Sequence, residues 1–241
     1  MIGLDKFFPV NRSTIMDIAT AVNERKSTRA FKPDPVPQKI LREIVELALR
    51  APSWANTQPW ELAIVAGSKL EEIKRRFIAK VDETPAFDIV HPWGFPEPYA
   101  SRTGRLMATE QKIKGIQRED REGRGWWRLQ GLKNYGAPCV IYILIDRDFY
   151  FQEEINAWLL FDCGLVAENI MLLATSYGLG TVAQAQAVHY PDVLRRVLGM
   201  PDSKLFVIGI AIGYPDELDP INQFRSEREP LDTISKWHGF D

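Results

Sequence analysis

Cysteine is almost absent: Cys139 and Cys163 are the two in 241 residues, and they form no CxxC pair. That excludes a disulfide framework and paired-thiol ligation of zinc or iron–sulfur clusters, and it suits a reduced, cytoplasmic setting. Histidine is nearly as scarce. His91, His189 and His238 lie far apart with no HExxH, so no metal centre is expected, and each reads as a surface or capping residue. An excess of one charge is missing too. Thirty basic residues against 32 acidic ones give a formal net charge of -2, which leaves no electrostatic footprint for nucleic acid or an anionic membrane. No apolar run approaches the ~20 residues that span a bilayer. The opening MIGLDKFFPV lacks a basic stretch followed by a long apolar run, so no signal peptide is expected. GxGxxG after a strand, GxxxxGK[ST] and GxSxG are also missing, which removes the readings as a dinucleotide-binding fold, a Walker-type site and a serine hydrolase elbow.

What is present is a globular composition, 45% apolar and 26% charged, without repeats or low-complexity tracts, so residues 1–241 read as a single domain. Helical periodicity predicts helices over 15–24, capped by Ser13 or Thr14, then from Pro37 to the Ala51-Pro52 stop, and over 68–81. A short strand is expected at 61–66. Residues 82–100 interleave Pro85, Pro92, Pro96 and Pro98 with Phe87, Trp93, Phe95 and Tyr99; residues 101–133 are highly charged yet hold adjacent Trp126 and Trp127. The block 82–133 therefore reads as a surface excursion, partly helical, on a regular scaffold. The run 139–145 suits a central strand covered on both faces. Residues 155–177, apolar on nearly every face, predict a buried central helix ended by Gly178 and Gly180. A last strand at 205–212 precedes a tail, 213–241, long enough to wrap a neighbour or complete a site. Helices outnumber strands, so the fold class is α+β, a mixed α/β layer.

Two segments carry candidate chemistry. Arg25-Lys26-Ser27-Thr28-Arg29 places three cations and two hydroxyls in five residues, which suits a dianionic phosphate, although the pentapeptide by itself is more simply read as a solvated helix end complementing the helix dipole. The loop Pro52–Trp60 places Ser53, Asn56, Thr57 and Gln58 between two prolines; it can present donors and acceptors to a heteroaromatic ring, or simply turn the chain. Cys139 and Cys163 fall inside apolar elements, where cysteine is an inert small hydrophobe.

Taken together, the chain resembles the FMN-dependent nitroreductase family. RKSTRAF at 25–31 is similar to the family's Arg-x-Ser-x-Arg/Lys signature, and APSWANTQPWEL at 51–62 to its Pro-Ser-x-x-Asn-x-Gln-Pro-Trp loop. AENIMLLATSYGLGTVAQAQAV at 167–188 resembles the central helix and following loop. FVIGIAIGYPDE with NQFRSEREPLD, between 206 and 232, resembles the last strand and phosphate-binding tail.

The resemblance implies a nitroreductase-like fold: a central mixed β-sheet flanked by helices, with the long central helix at a homodimer interface and the flavin sites between subunits. It implies FMN as cofactor, with NAD(P)H as donor in a ping-pong cycle that reduces nitroaromatics, quinones or related small acceptors. Arg25, Lys26 and Ser27 would hold the phosphate and ribityl chain, with Arg225 and Arg228 closing the phosphate pocket. The alternative for those two is an exposed ion-pair network with Glu227 and Glu229. Arg29 would reach the N1/C2-carbonyl edge and favour electron uptake. Pro52, Ser53, Trp54, Ala55, Asn56 and Gln58 would lie against the flavin from the other subunit. The loop Ala183-Gln184-Ala185-Gln186 would cover one ring face, with the Ala185 N–H toward N5, although the family often has proline, glutamate and glycine there. No catalytic side chain and no metal is implied. Trp126 and Trp127 either line the mouth of the cleft and stack on acceptors or staple the excursion down. Alternatives are a same-fold flavoenzyme of different chemistry (reductive dehalogenation or flavin fragmentation) and a non-catalytic FMN-binding protein. The Glu-Tyr-Lys lid set of dehalogenating relatives has no convincing match here.

Overall fold

Alternation along β2 (Cys139–Asp146) organises the molecule, because its successive side chains enter two different cores. The computed structural model describes residues 16–92, 94–152 and 154–240. In chain order, α1 (Ile18–Glu24), α2 (Gln38–Ala48), β1 (Glu61–Ala66) and α3 (Gly67–Ala79) precede the excursion. The excursion holds α4 (Tyr99–Ile113) and α5 (Arg121–Leu132), ahead of β2 and a short α6 (Arg147–Tyr150). Then come α7 (Trp158–Ser176), β3 (Gly180–Gln184), α8 (Pro191–Leu198), β4 (Lys204–Gly213) and, in the tail, α9 (Leu231–Ile234).

Cys139, Ile141, Ile143 and Ile145 pack with Leu41 and Ile44 of α2 and with Leu159, Cys163, Val166 and Ile170 of α7. Val140, Tyr142 and Leu144 pack on the other side with Leu70, Ile73 and Phe77 of α3 and with Val193, Leu194 and Val197 of α8. Burial on both faces is what the near-continuous apolar run demanded, and each fully buried isoleucine contributes about 1.5–3 kcal/mol. Burial also pushes both cysteine thiols up to about 12, as expected of inert buried residues.

The sheet order is β1-β2-β4-β3, and every pairing is antiparallel. The mixed strand directions expected above reduce to one isolated parallel bridge, Ser27 to Thr181. The strand β3 was not foreseen. GTVAQ is short, begins with glycine and ends in a polar residue, so it carries little strand signal and is specified by its pairing with β4. Helix boundaries shift slightly. Asp17 caps α1 by accepting from Thr20 N–H at 3.0 Å, while Ser13 and Thr14 lie outside the described residues. Pro37 is the N-cap of α2 rather than its first residue.

Helix α7 runs 19 residues. Contrary to the sequence reading, it is long and apolar enough to cross a bilayer. Its packing against α2 and the sheet, and its buried Asp162, mark it as a core helix. It is not buried on every face: Trp158 and Phe161 are 61% and 58% exposed.

Candidate functional site

The segment 25–32 leaves α1 and is threaded between two parts of the sheet. Thr28 N–H donates to Thr181 C=O at 2.9 Å on the β3 side. Lys32 N–H donates to Tyr214 C=O at 2.9 Å, and Ala30 C=O accepts from Asp216 N–H at 3.0 Å, on the side of the tail that follows β4. Glycine at 180 permits this approach: a Cβ there would lie 2.3 Å from Thr28 Oγ1 and 2.8 Å from Thr28 Cβ. The fully buried Asn222 completes the seam. Its Oδ1 accepts from Arg29 N–H at 2.9 Å, and its Nδ2 donates to Ala30 C=O at 2.7 Å and Asp216 C=O at 2.9 Å.

The predicted cations fare differently. Arg25, the C-cap of α1, approaches Glu168 of α7 at 3.6 Å, and Lys26 and Ser27 beside it are half-buried. Arg225 comes to the same end of α1, within 3.5 Å of Glu24. Arg228 is not tied to that cluster: its NH1 donates to Ser226 C=O, Ser226 Oγ and Glu227 C=O within its own tail. The expected network with Glu227 and Glu229 does not form among the described residues. Glu229 instead binds Arg102 at 2.8 Å and Arg105 at 3.4 Å on α4.

Arg29 turns toward the excursion. Its NH2 lies 2.9 Å from Glu110 Oε1 of α4, with both side chains largely buried, and its NH1 reaches Ser27 C=O at 3.5 Å. Trp127 Nε1 donates to Glu110 Oε2 at 3.4 Å. The Trp127 ring packs 5.3 Å from Tyr135, whose phenol is pushed up by burial and further by Glu110, against the opposing Arg29. Lys114 Nζ lies 5.6 Å from the Trp127 ring centroid and is itself paired with Asp219. Trp127 is thus packed among residues of the excursion and its surroundings, while its neighbour Trp126 stays 47% exposed.

The loop expected over the ring is not a free loop. Ala183 and Gln184 end β3, and Ala185 and Gln186 begin a 3-10 turn. The Gln184 side chain is buried and its Nε2 donates inward to Asn134 Oδ1 and Gly131 C=O, because the alternation of β3 points it into the protein. Gln186 covers Gly131, where a Cβ would lie 1.7 Å from its Oε1.

Pro52 and residues Trp54–Gln58 stand exposed, and Ala55, Asn56 and Gln58 adopt positive φ of 49°, 58° and 47°. Non-glycine residues in that region are strained and persist where the surroundings hold them. The restraints are visible: Ser53 Oγ accepts from Gln58 N–H at 2.9 Å, and the buried Asp162 carboxylate accepts from Trp54 N–H at 3.1 Å. Asp162 and Glu168 sit six residues apart, about 120° around α7. The loop and the Arg25 cluster are thus tied to different flanks of one helix. Clefts of about 800 Å³ beside residues 152–158 and about 510 Å³ between α2 and β1 are lined by none of the predicted residues.

The sequence profile of the nitroreductase family matches residues 22–214, from the end of α1 to the end of β4. The chain belongs to the nitroreductase family. This nitroreductase is 29% identical to the 4-nitrobenzoate reductase of Pseudomonas putida over 93% of its own length and 97% of that chain. It is 30% identical to nitroreductase NfnB of Mycolicibacterium smegmatis over 92% and 94% of the two. Among solved structures, the FMN and NADPH-dependent nitroreductase NfnB of Sphigopyxis sp. strain HMH superposes with a TM-score of 0.87 at 29% identity, covering 93% of this chain and all of that one.

Histidine reading is corrected in one place. The fold brings His91 and His189 to the same phenylalanine, with Phe87 stacked 4.1 Å from His91 and edge-on to His189 at 5.0 Å. No cluster of potential metal ligands occurs among the described residues.

Proposed function

We propose that this chain is an FMN-dependent oxidoreductase that takes electrons from NAD(P)H in a ping-pong cycle and reduces nitroaromatic, quinone or related small acceptors. The observation that carries the reading is the donor set at the end of α1. Arg25, Lys26 and Ser27 leave α1 where segment 25–32 is bridged to β3, and Arg225 of the tail comes to Glu24 at the same end of the helix. Several cations with a hydroxyl fit a dianionic phosphomonoester. Bound there, FMN supplies the two-electron relay between donor and acceptor. The chain's own residues bind and orient. Arg25, Lys26, Ser27 and Arg225 would hold the phosphate, with Arg228 available from the tail if its internal bonds open. Arg29 would serve the pyrimidine edge, and the Ala183–Gln186 backbone would border the ring.

The reading includes a homodimer. The exposed Trp158 and Phe161 on α7, and the strained, exposed Trp54–Gln58 loop tied to Asp162 of the same helix, are what a second copy would cover. In that arrangement Pro52, Ser53, Trp54, Ala55, Asn56 and Gln58 complete the partner's site. The reading also includes a single-domain cytoplasmic enzyme, supported by two buried, unpaired thiols.

The test is direct. The purified protein should be yellow, release FMN rather than FAD on denaturation, and bleach on anaerobic titration with NAD(P)H, with colour restored by a nitroaromatic or quinone. Arg25→Ala should lower FMN affinity roughly ten- to hundredfold, about 1.5–3 kcal/mol for a lost charge-assisted bond, in protein that stays folded. Bound FMN that NAD(P)H cannot bleach would mark a non-catalytic module, and wild-type affinity in Arg25→Ala would overturn the phosphate assignment.

A further inference from the structure

Glu110 lies in the most charged part of the chain, where carboxylates ordinarily face water, yet it is 7% exposed. A carboxylate this buried requires compensation, and its two oxygens find different partners. Oε2 accepts from Trp127 Nε1, while Oε1 stands 2.9 Å from Arg29 NH2. That second contact is a charge contact without an aligned hydrogen bond, since Oε1 has no directed donor. Arg29 is therefore held by attraction while retaining N–H groups able to meet another acceptor. The nearby cation Lys114 does not compete, being committed to Asp219 at 2.6 Å.

We propose that Glu110 is the counterion that sets how much positive charge Arg29 presents to the cofactor, so that the α4–α5 excursion tunes the cofactor's electron affinity. The inference rests on the reading of Arg29 as the cation at the flavin edge. A cation beside a group that gains negative charge favours reduction, and a carboxylate 2.9 Å from that cation cancels part of its field. Glu110 comes from α4 and is oriented by Trp127 of α5, so the placement of these two helices fixes the charge balance at a site formed elsewhere. Glu110 acts through Arg29 and is a positioning residue.

The experiment measures FMN affinity in the oxidised form and the two-electron midpoint potential by equilibration with reference dyes. Glu110→Gln should raise the ratio of reduced to oxidised FMN affinity about tenfold, a midpoint about 30 mV higher for a two-electron couple. Glu110→Asp, which keeps the charge but withdraws it, should give a severalfold rise and serves if Glu110→Gln folds poorly. Arg29→Gln should lower the midpoint, and adding Glu110→Gln should bring it part of the way back, because the two charges act as a sum. Trp127→Phe, which keeps both charges but frees Glu110 Oε2, should move the midpoint less than Glu110→Gln does. If both Glu110 variants keep the wild-type midpoint while Arg29→Gln lowers it, Glu110 is a structural staple; the proposal falls and the site reading stands. If Arg29→Gln also changes neither affinity nor midpoint, Arg29 does not face the flavin and both fall.

Discussion

The residues that hold this site together are single polar groups in otherwise apolar or charged surroundings. Asp162, Glu110 and Asn222 are each nearly or fully buried, and their partners lie far off in sequence; Arg29 and Asn222 are separated by 193 positions. No spacing rule reports such a pair. The one signal was incongruity, a carboxylate within the apolar run WLLFDCGL, and it names a residue without naming its partner. From the packing of Trp127 and the exposure of Trp126, the adjacent tryptophans are expected to divide the two roles considered for them. Trp127→Ala removes the ring packed against Tyr135 and Lys114 and should destabilise by about 2 kcal/mol, lowering the melting temperature by roughly 5 °C. Trp126→Ala should leave stability nearly unchanged. If Trp126 borders the acceptor, it should shift relative kcat/KM among aromatic acceptors by about tenfold, ~1.4 kcal/mol. Thermal melts and an acceptor panel on both variants check this, and equal melting temperatures would contradict the division.

At the scale of elements, the strands with apolar runs were legible and the short β3 was not. β1, β2 and β4 fall within a residue of their expected bounds, because burial on one or both faces writes itself into composition. β3 is recognisable from Gly180, whose missing Cβ lets segment 25–32 lie against it. Gly180→Ala should force Thr28 away, since the clash reaches Thr28 Cβ and no rotamer relieves it. The expected outcome is loss of FMN with a smaller loss of stability, read by flavin content beside a denaturant melt.

The junction between residues 86–91 and α8 carries a pH dependence. Burial, with smaller contributions from His91 and Arg128, depresses His189 from its ordinary 6.5 to about 4. The unfolded chain therefore binds a proton between those values that the folded chain refuses. The resulting stability is present above pH 6.5 and lost as pH falls toward 4. Between pH 7.5 and 5 the loss should be about 2 kcal/mol at most. His189→Gln should flatten that part of the profile in urea titrations, and an unchanged profile would place the acid sensitivity elsewhere.

For the whole molecule, composition and apolar patterning revealed the layers, while the proposed second copy is argued only from what one copy leaves uncovered. Gly164 lies on α7 with nothing within 4 Å of where its Cβ would stand. Facing water, Gly164→Ala should stabilise the helix by about 0.5–1 kcal/mol. Packed against a second copy, the same methyl group, and more strongly the side chain of Gly164→Leu, should weaken the dimer. Light scattering across a dilution series separates the outcomes, and stabilised variants of unchanged mass would refute the dimer placed on this face.

The seam at Asn222 also has a bearing on how the protein is made. A chain leaving the ribosome presents residues 25–32 early and Asn222 only near the end of translation. Until that amide arrives, the Arg29 N–H and Ala30 C=O lack the bonds it supplies. Arg225, three residues further on, is later still. Closure of the proposed anion-binding end is therefore expected among the last events of biosynthesis, and nascent chains halted before residue 222 should emerge with the sheet's first strands formed and no capacity to retain a flavin.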